Sequence, residues 1–292
     1  MKKRAAICFR GKALDNSVNS KTNHIEQISY MAAWGVLKRK LIEPNKEYFD
    51  FDIYLHGWVD DISTDRLAPL LNDMSPKAHI LELQRDFREI YLDVIDHEKI
   101  LFERYRHLSP GMTVEDYSDI DHNMYFQNVL SYAYSISKSA EMVRVSGEEY
   151  DVVITARYDA APLEMIDLQK VEPEFAYVDK NQGFSPIFIG DFYLASSQRV
   201  VGSFSNFFDF LQNKIFHDSD FLAWFERCKD MKKKFPNGRF EHGAYSNQVI
   251  FAYFLWTQGL DIERIREFSK GQLMKGEFKE PFWRKLFSLL KP

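Results

Sequence analysis

Two cysteines, Cys8 and Cys228, stand far apart in 292 residues. They give no disulfide framework and no Cys-type zinc site, and each reads as a small buried apolar residue. A reducing compartment fits best, so a cytoplasmic location is expected. No apolar run approaches the length of a membrane span. The N-terminal stretch is basic and then apolar, but it is too short for a signal-peptide core and ends in Arg10. Positive charge is not in excess either. Lys and Arg number 38 against 43 Asp and Glu, for a net charge of −5. That balance lacks the basic footprint of a broad nucleic-acid binder, so no nucleic acid is expected as partner. There is no internal repeat, no low-complexity tract, and no linker rich enough in Pro, Gly or Ser to divide the chain.

Several catalytic signatures are missing as well. Phe9-Arg10-Gly11-Lys12 lacks the spacer of a Walker loop and the pattern of the dinucleotide fingerprint. The eight histidines form no His-x-x-x-His pair, which leaves zinc hydrolysis unsupported. No Gly-x-Ser-x-Gly elbow occurs. What is present is a hydrophobic fraction of 45% with 25 Phe and 15 Tyr, enough for a real core. Aromatics in that number build cores and also offer stacking faces to bases and sugars.

The order of elements favours an α/β protein with a mostly parallel sheet flanked by helices. Strands are expected at 5–9, 51–56, 79–83, 150–159, 175–178 and 187–189, with 190–197 continuing into 199–201. Helices are expected from an Asn23-x-x-Glu26 capping box to about Leu41, and over 123–145, 204–214, 221–233 and 246–260. Residues 85–120 read as a short helix and a long excursion. The second half is less regular and reads as an elaboration of the same sheet, giving one domain.

The most telling stretch is Tyr150 to Asp159. Apolar residues run there without alternation, as in a strand buried on both faces. The strand delivers Arg157 and Asp159 to its C-terminal edge, where open α/β sheets bind ligands. A guanidinium can grip phosphate and a carboxylate can hold a divalent cation. An Arg157–Asp159 salt bridge is an equally good reading. Arg10-Gly11-Lys12 sits at another strand end, where backbone amides and two cations could meet an anion. His56, beside Trp58, could bond a ribose hydroxyl or phosphate, although a core Trp at the top of a sheet is the plainer view. Asp191, after Gly190, is a candidate general base. His242, in Glu241-His242-Gly243, is a candidate metal ligand. The tail 281–292 places Trp283, Leu286, Phe287 and Leu290 on one helical face and Arg284, Lys285 and Lys291 opposite. Such a helix suits weak peripheral membrane contact, and docking onto the protein's own body is the alternative.

Taken in order, these pieces resemble GT-A-like glycosyltransferases of bacterial surface-polysaccharide loci and of large DNA viruses and phages. The residues that carry the resemblance are Phe9-Arg10-Gly11-Lys12, then Asp52-Ile53-Tyr54-Leu55-His56-Gly57-Trp58. Phe126-Gln127-Asn128 and Tyr134 to Ala140 follow, then Tyr150 to Asp159 and Gly190 to Ser197. The resemblance implies a GT-A-like (Rossmann-like) fold, with a nucleotide-binding half over about 1–160 and an acceptor half over about 161–280. It implies transfer of a sugar from a nucleotide-sugar donor to a glycan or lipid-linked acceptor. Arg10, Gly11, Lys12, His56, Arg157 and Asp159 would meet the donor, and Asp191 and Arg157 would serve the chemistry. Such enzymes hold Mn²⁺ or Mg²⁺ with an Asp-x-Asp motif. Here position 157 is Arg, which leaves Asp159, with His242, as metal candidates, or Arg157, Lys12 and Arg10 as a metal-free substitute. A nucleotidyl- or phosphotransferase on a similar sheet, or a non-catalytic nucleotide-sugar-binding protein, are the alternatives.

Overall fold

The computed structural model describes residues 2–12, 16–18, 25–27, 30–59, 68–91, 122–179, 189–213, 219–228, 247–260, 264–268 and 271–273. In chain order its elements are β1 (Lys3–Arg10), β2 (Asn16–Val18), β3 (Ile25–Gln27), α1 (Tyr30–Leu37), α2 (Glu43–Asn45), β4 (Phe49–Val59), α3 (Ala68–Met74), β5 (Ala78–Leu83), α4 (Arg88–Tyr91) and α5 (His122–Val145). Then come β6 (Val152–Arg157), β7 (Ala160–Pro162), β8 (Ala176–Val178), β9 (Tyr193–Ser196), α6 (Gln198–Ser203), α7 (Phe207–Asn213), α8 (Ser219–Cys228), α9 (Asn247–Thr257), β10 (Ile265–Glu267) and β11 (Gly271–Leu273).

Seven strands form one sheet in the order β10-β8-β9-β6-β1-β4-β5. All its ladders are parallel except the two made by β9, which runs antiparallel to β6 and to β8. The expected α/β architecture, a mostly parallel sheet flanked by helices, is thus what forms. β8, β9 and β10 extend that sheet, as expected of the second half.

The apolar runs of β1 and β6 do not alternate because both faces of the sheet are covered. Ala6, Cys8, Tyr54, Trp58 and Val153 pack with Phe126, Leu130 and Ala133 of α5 on one face. Ala5, Ile7, Phe9, Ile53, Leu55 and Ile154 pack with Trp34 and Leu37 of α1 and with Leu70 of α3 on the other. Each buried Ile, Leu, Val or Phe contributes about 1.5–3 kcal/mol of transfer free energy. The wealth of Phe is spent largely on packing. Phe204, Phe207, Phe251 and Phe254 form one knot, with Phe207 and Phe254 ring centres 4.7 Å apart. Among the described residues, no helix is long and apolar enough to cross a membrane.

Three local expectations fail. The helix expected from Ile25 begins only at Tyr30, because Ile25–Gln27 instead forms an antiparallel ladder with Asn16–Val18. It then runs through a π-helical turn, Lys38–Ile42, into Pro44-bearing α2. The strand expected over 199–201 is helical. Ser197 adopts an extended conformation (φ −64°, ψ 156°) that ends β9 and starts α6, so Val200 and Val201 turn one helical face into the core. Ile189 lies in no strand, and 187–188 lie outside the described residues. So do 92–121, most of the expected excursion.

Candidate functional site

Arg10 and Arg157 end adjacent parallel strands and are register partners across the β1–β6 ladder. Both share the parity of Ala6, Cys8 and Val153, so both project on the α5 side of the sheet. Two cations side by side at a partly dry edge require counter-charge. The chain supplies it from Asp159 and Asp191. Arg157 donates Nε–H to Asp159 Oδ1 and an Nη2–H to Oδ2, each at 2.8 Å, a two-point fork. Its Nη1 reaches Asp191 Oδ2 at 3.4 Å. Arg10, only 2% exposed, donates from Nη2 to the Asp191 carbonyl, and its guanidinium lies 4.4 Å above the Tyr132 ring of α5. Among the described residues, its Nε finds no hydrogen-bond partner, and neither does the Tyr132 hydroxyl.

Burial works to raise the Asp159 carboxyl, but the charge and fork of Arg157 outweigh it and hold its pKa below the ordinary value. Burial likewise opposes the Arg157 charge, and Asp159 and Asp191 more than restore it. The salt-bridge reading of Arg157 and Asp159 is therefore realised. Arg157 keeps a partly open side chain, 27% exposed, and is the arginine of the pair that faces outward.

One member of the cluster escaped sequence reasoning. Asp179 follows β8, is 5% exposed, and accepts the backbone N–H groups of Phe192 (2.9 Å) and Tyr193 (3.4 Å). Its carboxyl packs against Gly190 so closely that any Cβ there would overlap it. Burial, and then the nearby Asp191 charge, push its pKa up to about 6. Asp179, Asp191 and the two arginines thus share one corner, built from the ends of β1, β6, β8 and β9. The only sequence signal was an isolated Asp at the end of a short apolar run, which any turn would also explain.

Gly11 and Lys12 stand at the same edge. Gly11 has φ +110°, a value that disfavours a side chain. Its N–H donates to Ser135 Oγ at 2.9 Å, its carbonyl accepts the Trp58 N–H at 2.9 Å, and Lys12 is exposed beside Trp58.

His56 does not join the donor surface. It is fully buried, with Nδ1 2.7 Å from Ser135 Oγ and Nε2 2.9 Å from Glu82 Oε1. Both nitrogens are occupied, so the expected contact with ribose or phosphate is corrected. Trp58 is 2% exposed and stacks on Tyr134 at 5.2 Å, as a core Trp does. Asp52 and Tyr150, which helped carry the family resemblance, lie away from this edge. Near the amino ends of β1, β4 and β6, Asp52 and Glu148 each bind both Arg4 and Lys77, and Tyr150 donates to Asp52 at 2.6 Å. That network ties strands together.

His242 and the tail 281–292 lie outside the described residues. Among the described residues, no group of three His, Cys, Asp or Glu is placed to hold a metal ion. Asp159 gives both oxygens to Arg157. The described residues therefore do not fit a protein-built Mn²⁺ or Mg²⁺ cage.

The described chain is thus an α/β protein with a charged, largely buried cluster at the carboxyl edge of its central strands. No protein-family model matches the chain, and no curated protein matches its sequence. Among solved structures it is similar to mouse xyloside xylosyltransferase 1 in its apo form. That pair shares 11% identity and a TM-score of 0.33, over 91% of this chain and 84% of that one. It is similar to the apo glycosyltransferase GlyE of Streptococcus pneumoniae TIGR4, at 11% identity and a TM-score of 0.35, over 91% of this chain but 45% of GlyE. It is also similar to the galactosyltransferase LgtC in complex with donor and acceptor sugar analogues. There the identity is 10% and the TM-score 0.34, over 90% and 72% of the two chains. At these scores the likeness assigns no residue and no substrate.

Proposed function

We propose that the protein is a glycosyltransferase that moves a sugar from a nucleotide-sugar to a glycan or lipid-linked acceptor. The observation that carries this reading is the Arg10–Arg157 pair at the ends of adjacent parallel strands, faced by Asp159 and Asp191. Arg157 holds Asp159 tightly and Asp191 loosely, at 2.8 Å against 3.4 Å. An incoming diphosphate, a stronger anion than one carboxylate, can replace Asp191 on Nη1 without breaking the Asp159 fork. Lys12, exposed at the same edge, adds a second cation. Asp191, released from Arg157, becomes the base. The acceptor hydroxyl attacks the anomeric carbon and its proton passes to Asp191. The bond from that carbon to the diphosphate breaks, and Arg157 and Lys12 stabilise the leaving charge. Such a displacement inverts the anomeric centre.

Incubation with UDP-, GDP- and dTDP-sugars and a panel of glycan and lipid-linked acceptors tests the reading. Release of nucleoside diphosphate together with a glycosylated product supports it. Release of pyrophosphate would instead assign a nucleotidyltransferase, and binding without any turnover a non-catalytic protein.

A further inference from the structure

We infer that His56 is a positioning residue, which with Glu82 and Ser135 fixes the Gly11 turn and so places Lys12 at the site. The inference rests on reading that edge as a nucleotide-sugar site. One arrangement of protons satisfies every polar atom in the chain. A carboxylate only accepts, so His56 Nε2 carries the proton and donates to Glu82. Nδ1 is then an acceptor, and the Ser135 hydroxyl donates to it. The Ser135 oxygen keeps a lone pair for the N–H of Gly11. Burial, the largest influence, disfavours protonation of the ring; Glu82 opposes it, and the charges of Lys138 and Arg85 assist it. Arg85 also holds Glu82 from outside, at 2.8 Å. Tyr134 and Trp58 close the remaining sides of the ring.

The device ends on a single backbone amide, and that amide belongs to the residue between Arg10 and Lys12. A Leu in place of His56 would fill the core of β4 as well. Two buried polar groups, His56 and Ser135, anchored on the half-buried Glu82 make sense as a tether, since Gly11, at φ +110°, has little intrinsic preference for its native shape. The same face of α5 serves both sides of the turn. Tyr132 lies under Arg10, and Ser135, three residues on, holds Gly11.

The test compares Ser135→Ala, His56→Ala and His56→Asn with the wild type, using UDP-glucose, GDP-mannose and dTDP-glucose as donors. Asn keeps an acceptor near the place of Nδ1. Both Ala variants should weaken the donor KM about tenfold with kcat within about twofold, the scale of one well-placed hydrogen bond. His56→Asn should recover most of that loss. A fall in melting temperature with unchanged KM in all three would overturn the inference. Amide hydrogen exchange separates this outcome from failure of the donor reading itself. In Ser135→Ala the Gly11 amide should exchange at least about tenfold faster even if no donor binds, and unchanged protection would overturn the tether.

Discussion

The carboxyl of Asp179 occupies the space that a side chain at Gly190 would need. The same carboxyl caps the two amides that follow Asp191. The candidate base is therefore fixed from three sides, by Asp179 under its turn, by Arg10 on its carbonyl and by Arg157 on its carboxylate. Gly190→Ala should push these groups apart, at a cost of about 1–3 kcal/mol, the usual range for overpacking. Thermal denaturation of Gly190→Ala, Asp179→Ala and the double variant checks the cause. The two changes should be strongly non-additive, because removing the carboxyl makes room for the methyl. Simple additivity would mean that Gly190 is needed for some other reason.

Asp179 also gives a pH signature. Its folded pKa is raised, from 3.8 to about 6, so its contribution to stability is fully present below about pH 4 and is lost as pH rises through 6. The full difference is about 3 kcal/mol. Asp179→Asn keeps an acceptor oxygen for the Phe192 and Tyr193 amides but cannot ionise. Its stability relative to the wild type should therefore rise between pH 4.5 and 7.5, read as denaturant midpoints. His56 acts with the opposite sign. Its pKa is lowered by burial, so its contribution is present above 6.5 and lost as pH falls. A gap between wild type and Asp179→Asn that stays flat across this window would contradict the assignment of Asp179.

Asp159→Asn tests the fork. The wild-type carboxylate is stabilised above its unfolded pKa of about 3.9, and that stabilisation is lost as pH falls through its lower folded value. At pH 7 the variant keeps one amide oxygen for Arg157 but loses the charge and the second arm of the fork, so the more distant Asp191 carboxylate is the remaining counter-charge. It should lose about 2–4 kcal/mol, and transfer should fall at least about a hundredfold. Unaltered stability at pH 7 would show that the fork contributes little.

Tyr150→Phe separates the two ends of the sheet. It removes the hydroxyl that donates to Asp52 and contacts Tyr54 at 2.7 Å. Stability should fall by about 1–2 kcal/mol, while donor affinity stays within about twofold. A large loss of affinity would bring the Tyr150 end into the site.

The mostly parallel sheet was legible because β1 and β6 carry unbroken apolar runs, Ala5–Phe9 and Val152–Ile154, and such runs read the same whichever neighbours they acquire. Arg157, Asp159 and Arg10 were legible as a group because strand ends converge at one edge. The outcome at His56 was hidden. A His in a strand reads alike whether it faces ligand or core, and its partners Glu82 and Ser135 lie 26 and 79 positions away. Asp179 was hidden for a similar reason, since its significance comes from the Gly190–Tyr193 turn. The Ile25 stripe misled because four apolar residues at helical spacing cannot outweigh an available strand partner.

Titration calorimetry of the full chain with UDP-, GDP- and dTDP-sugars bears most directly on the central claim, that Arg157 and its neighbours hold a nucleotide diphosphate. The account predicts saturable binding of at least one donor, weakened at least about tenfold in Lys12→Ala, a variant that leaves the buried cluster intact. A ligand at a hundred times its Kd should also stabilise the fold by about 2.7 kcal/mol. No heat and no thermal shift with any nucleotide diphosphate at millimolar concentration would contradict it.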